Sequence, residues 1–260
     1  HGPQTTGMVE IYRSLQRQAR AWQRTWDRVV SRTRAPGYGN SDGKGLGTAR
    51  QDLTLTPPPL PNPDTLAFQP AFAARYRDWI AEAPAQHILN DQLQHALLDN
   101  LLRASRNHYN LEVLHALARF TGHHWSLLSS LAAAEQDLVR ASAAAASNRP
   151  ALAVGHLVAA HNRVARLEQD ATAVHRHLTQ TFEKSRLPKG LSLNGRHFVH
   201  VLDDTKDHWA DRTPDLGYMF APERSLQLPE WRTQLANITQ NYAAQRKIPV
   251  QGLATPRLED

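Results

Sequence analysis

Leu157, Ala160, Val164, Leu167, Ala171, Val174 and Leu178 form the stretch that decides the fold. Their steps alternate between three and four residues. That rhythm keeps side chains on one stripe of a helix with 3.6 residues per turn, whereas a half-buried strand would alternate every second residue. A helix is therefore predicted over about residues 151–184. It restarts at Pro150 after the turn residues Ser147, Asn148 and Arg149. Proline suits a first helical turn because its angle is preset and its missing N–H would have no partner there.

Working outward, Leu127, Leu131, Ala134, Leu138 and Ala141 predict a helix over 123–146. Upstream of it, Leu97, Leu101, Ala104, Leu111 and Ala118 form one stripe, and Leu98, Leu102, Tyr109, Val113 and Phe120 a second. The two stripes predict a helix over 87–119 buried on a wide face, with Gly122 as its interruption. Short connections make such helices antiparallel neighbours. Phe72, Tyr76, Trp79 and Ile80 predict a short helix that stops near Pro84, and Trp231, Leu235, Ile238 and Tyr242 a last helix over 229–245. At the other end, a helix over 6–33 is capped by Thr5 or Thr6 and carries Tyr12, Leu15, Ala19, Trp22, Trp26 and Val29 on its packing face. The fold class expected is all-α: an antiparallel bundle of three long helices, flanking shorter helices and two long irregular segments.

Those irregular segments are 36–64 and 185–226. The first holds Gly37, Gly39, Gly43, Gly45 and Gly47, then Pro57, Pro58, Pro59, Pro61 and Pro63. Glycine opens unusual backbone angles and proline blocks helix continuation, so neither half sustains a helix. Within the second, Arg196–Leu202 reads as a short strand. The organisation expected is an N-terminal amphipathic helix (1–35), a Gly/Pro-rich connector (36–69), a helical bundle (70–185), and an irregular segment with a C-terminal helix packing on the bundle (186–260).

Composition removes several function classes. There is no cysteine, which excludes disulfides, zinc–thiolate sites and thiol nucleophiles. No apolar run reaches the ~18–20 residues of a membrane-spanning helix. The formal charge of +6 is concentrated between residues 8 and 34, where Arg13, Arg17, Arg20, Arg24, Arg28, Arg32 and Arg34 face only Glu10 and Asp27. A nucleic-acid surface would spread its basic charge more widely, so nucleic-acid binding is not expected. The chain starts at His1 without a signal-peptide pattern, which points to a processed or cleaved chain. Composition leaves the compartment unknown.

Motifs of catalysis are incomplete. Lys44 is followed by Gly45 where a phosphate loop needs Ser or Thr. Tyr38, Asn40 and Asp42 in that loop remain candidate contacts for a polar ligand. Glu112-x-x-His115 has the spacing of di-metal bundles but lacks its second copy, and adjacent His123 and His124 point about 100° apart on a helix. No metal and no cofactor are expected. The richest polar cluster contains His200, Asp203, Asp204, Asp207, His208 and Trp209. Carboxylates beside histidines can move protons and tryptophan can stack on a sugar, but the same residues also read as a capped turn. Arg13, Arg17, Arg20, Arg24 and Arg28 form a ridge that is either a solvated face or a surface for nucleic acid, an anionic membrane or an acidic partner.

Phe182–Gly190 followed by Gly195–Met219, with Ala35–Ser41 and the long helices, resembles the C-terminal helical region of large bacterial proteins of glycoside hydrolase family 20, the β-N-acetylhexosaminidase-like group. The resemblance implies action on N-acetylhexosamine-containing glycans by a (β/α)₈ barrel bearing an adjacent Asp-Glu pair. This chain contains no Asp-Glu dipeptide and no eightfold strand–helix alternation. No catalytic residue is carried over. On this reading the chain is an accessory part, its partner an upstream catalytic domain or a separate protein chain, its ligand a glycan, and a secreted or periplasmic setting is compatible. The alternative is a non-enzymatic helical scaffold that docks an acidic protein through its arginine ridge.

Overall fold

A computed structural model describes residues 1–33, 56–184 and 226–254, with side chains for 1–21, 56–181, 184 and 226–254. Every regular element among them is helical: α1 (Met8–Thr33), α2 (Phe72–Arg75), α3 (Arg77–Arg103), α4 (His108–Ala146), α5 (Pro150–Glu183) and α6 (Leu228–Gln245). The expected strand at 196–202, most of the segment 185–226 and residues 36–55 of the Gly/Pro-rich segment lie outside the described residues.

Three long helices, α3, α4 and α5, make an antiparallel bundle. The register is written in side-chain pairs: Lys184 meets Glu112 at 2.6 Å and Arg163 meets Asp137 at 3.1 Å, so α5 descends as α4 rises. The α4–α5 turn spans Ser147–Arg149, with Asn148 at φ 53° and Pro150 opening α5. Leu127, Leu131, Ala134, Leu138 and Ala141 of α4 are buried against Leu157, Ala160, Val164 and Leu167 of α5. Trp231, Leu235 and Tyr242 of α6 complete this core. A second cluster joins Ile11 of α1, Leu93 and Leu97 of α3, and Leu111 and Ala118 of α4.

Three boundaries differ from the sequence reading. First, α3 runs through Pro84 instead of stopping there. Proline removes one backbone donor at a cost of about 3 kcal/mol in a helix interior. Burial of Tyr76 and Ala83, with Trp79 and Ile80 packed on the same core, offsets that cost. Second, the predicted helix over 87–119 is two helices, parted at 104–107, where Asn107 takes a left-handed φ of 58°. On α3 the first stripe is buried or half-buried and the second faces solvent. Leu97 and Leu111 are fully buried, whereas Leu98 is 44% and Leu102 86% exposed. Third, α4 passes straight through Gly122. A Cβ there would collide with the side-chain amide of Asn90 on α3, so this glycine serves close helix approach.

The face of α1 also shifts. Ile11, Gln18 and Ala21 are buried, while Tyr12 is 48% exposed and Ala19 lies on the surface. A polar residue, Gln18, occupies the centre of the packing face, which an apolar count overlooks. Gly7, not Thr5 or Thr6, stands at the cap position: its carbonyl accepts the Ile11 N–H at 3.0 Å, while Thr5 Oγ1 donates to the Gly2 carbonyl and the Thr6 N–H to Asn100 Oδ1 at 2.8 Å.

Candidate functional site

Burying a carboxylate is costly unless its oxygens are satisfied. The acids inside this bundle are tied to structural partners. Glu135, 1% exposed on α4, accepts the N–H groups of Ala71 and Phe72 at 2.7 Å and of Ala73 at 2.8 Å. It supplies the cap that Ala71 lacks as a side chain. Asp137 accepts from Arg140 at 3.1 Å and from both Nε and Nη2 of Arg163. Glu168 receives Arg232 of α6 at 3.2 Å on each oxygen. Burial raises the Glu168 carboxyl above its ordinary range, and the Arg232 guanidinium opposes that rise.

Polar contacts also dock α1. Gln18 Nε2 donates to Gln86 Oε1 at 2.8 Å, and Gln86 Nε2 donates to Glu82 Oε1 at 2.8 Å. Asn100 spans the far end, accepting from Thr6 N–H and donating to Thr6 O at 2.9 Å. Between α1 and α3 an open cleft of about 270 Å³ is bordered by Glu10, Ser14, Gln92 and Asp99. Glu10 at its rim is already paired with Arg13 at 2.6 Å.

Histidines are drawn inward. His124, 2% exposed, has its pKa lowered to about 3 by burial and then by the charge of His123. His161 is lowered by burial and by Arg232, against its hydrogen bond to Asn162 Oδ1, which raises it. His115 of α4 meets His177 of α5 edge-to-face, with ring centroids 5.8 Å apart. Among the described residues no three His, Asp or Glu side chains group so as to hold a metal ion. No described helix is long and apolar enough to cross a membrane.

The residues singled out from sequence divide sharply. Tyr38, Asn40, Asp42, His200, Asp203, Asp204, Asp207, His208 and Trp209 lie outside the described residues. Arg13, Arg17 and Arg20 are all exposed on α1. Arg17 donates to Ser14 at 2.9 Å, within its own helix. Arg24 and Arg28 belong to α1, but their side chains lie outside the described set. Spacing did not reveal the Glu135 cap, the Gln18 contact or the His115–His177 pair, because each joins elements far apart in the chain. On α4 only Glu112-x-x-His115 and the adjacent His123 and His124 hinted at polar chemistry.

No protein-family model, no curated protein and no solved structure matches this chain.

Proposed function

We propose that this chain is a helical accessory part of a glycoside hydrolase family 20-like protein acting on N-acetylhexosamine-containing glycans, with the catalytic barrel outside these residues. The observation that carries the reading is the 182–219 stretch and its resemblance to the C-terminal region of that group. The use of Glu135, Asp137 and Glu168 as structural anchors supports a body that holds a partner more than one that turns over substrate. A test is direct: purify the 260 residues and assay a chromogenic N-acetylglucosaminide. No turnover is expected from the chain alone. Recovery of the native polypeptide or complex should bring a hexosaminidase-active barrel with it. Turnover by these residues alone, or a native form with no barrel joined or bound, would overturn the reading.

A second reading rests on the exposure of Arg13, Arg17 and Arg20 along one helix. In it the chain is a non-enzymatic scaffold, and this ridge meets the acidic surface of a protein partner. Exposed arginines favour such pairings because the planar guanidinium forms two parallel bonds with a carboxylate.

A further inference from the structure

We infer that His115 and His177 form an acid-sensitive latch that holds the last turns of α5 on α4 when both rings are neutral and releases them when the rings take up protons. The rings approach edge-to-face, 83° between planes, across the α4–α5 interface. His177 Nε2 is buried and has no hydrogen-bond partner among the described residues. A proton added there would carry charge into a site with no acceptor among the described residues. Ala116 and Leu178, packed with Phe120, form a small apolar cluster separate from the main core. The contact is therefore local, and its loss need not unfold the bundle.

The charges around the pair oppose protonation. Burial, then the neighbouring His177, then Arg119 lower the pKa of His115. Burial, Arg119 and Lys184 lower that of His177, with Glu112 acting the other way. Glu112 is itself occupied by Lys184 at 2.6 Å. Because both folded values lie below the unfolded value, the contribution is complete above that unfolded value. It declines as pH falls towards the folded values. The latch sits in the last two turns of α5, which ends at Glu183.

Hydrogen exchange on the whole chain tests this, with rates corrected for intrinsic chemistry. Between pH 7.5 and pH 5, amides of residues 174–183 should lose about tenfold in protection, because the open form binds protons at the two rings more readily than the closed one. Amides near Leu131 and Leu157 should hold. The double variant His115→Gln, His177→Gln should remove the acid response. Should that variant fold poorly, Arg119→Gln offers an independent check: it should raise both histidine pKa values by NMR and shrink the response. Equal acid response in wild type and variants, or two histidines titrating at ordinary values, would overturn the latch.

Discussion

The Trp125 indole N–H donates to Gln18 Oε1 at 3.1 Å, joining residues 107 apart in sequence inside the packed interface of α1 and α4. Trp125 is 1% exposed and Gln18 2% exposed, so water cannot replace either partner. Gln18→Ala should therefore cost about 1–3 kcal/mol, since it orphans a buried indole donor and the Gln86 acceptor. Urea denaturation followed by tryptophan fluorescence would measure it. A change near zero would show that α1 docks by its apolar residues alone.

Glu135 holds three backbone N–H groups at once. Glu135→Ala should be among the most destabilising single substitutions, on the order of 3 kcal/mol or more, because several donors lose their acceptor together. Glu135→Gln keeps an acceptor oxygen and should cost less. Equal losses for the two would mean that packing, not the hydrogen bonds, is what the residue supplies.

Gly122→Ala presses a methyl group into Asn90, which is 2% exposed and donates to the Ala118 carbonyl at 2.9 Å. Alanine is the better helix former, so on an open helix this change would stabilise. Here overpacking should dominate, with a net loss of roughly 1–3 kcal/mol. A raised Tm would show that α3 and α4 have room to part.

Stability should depend on His124. Its folded pKa is about 3, against a reference value of 6.5. A depressed histidine stabilises fully above the reference value and loses that contribution as pH falls toward the folded one. The slope is roughly 1.4 kcal/mol per pH unit within the window. Denaturation midpoints between pH 7 and pH 4 should fall less steeply in His124→Gln than in the native chain, after allowance for its lower starting stability. Parallel curves would assign the acid sensitivity to other groups.

Arg13, Arg17 and Arg20 face solvent, so reversing all three to glutamate should change folding stability by no more than about 0.5 kcal/mol per site. Under the docking reading the same triple variant should lose its acidic partner in size-exclusion or pull-down measurements. Retained assembly would reject docking through this ridge, and a large loss of stability would mean that the arginines serve the fold.

Several of these sites were hidden in the sequence for identifiable reasons. The rhythm of Leu157, Ala160, Val164 and Leu167 predicted both the helix and its buried side, because burial there follows helical period directly. The stripe through Leu98 and Leu102 faces solvent, because helical period alone does not say which of two adjacent apolar stripes meets a neighbouring helix, and nothing local to Ala104 or Ser105 announces the break at 104–107. Glu135 reads as an ordinary helix-surface acid until the N-terminus of α2 lies on it. All the candidate ligand contacts, from Tyr38 to Trp209, lie outside the described residues.

By itself the sequence determined that the chain is helical and which residues line the α4–α5 core, since a seven-residue apolar rhythm and proline-marked turns act over a few neighbours at a time. Only the tertiary structure decided which face of α1 is inside, why α3 survives Pro84, why α4 needs Gly122, and that His115 meets His177. Those outcomes depend on contacts between residues tens of positions apart, where packing and buried polar satisfaction outweigh local preference.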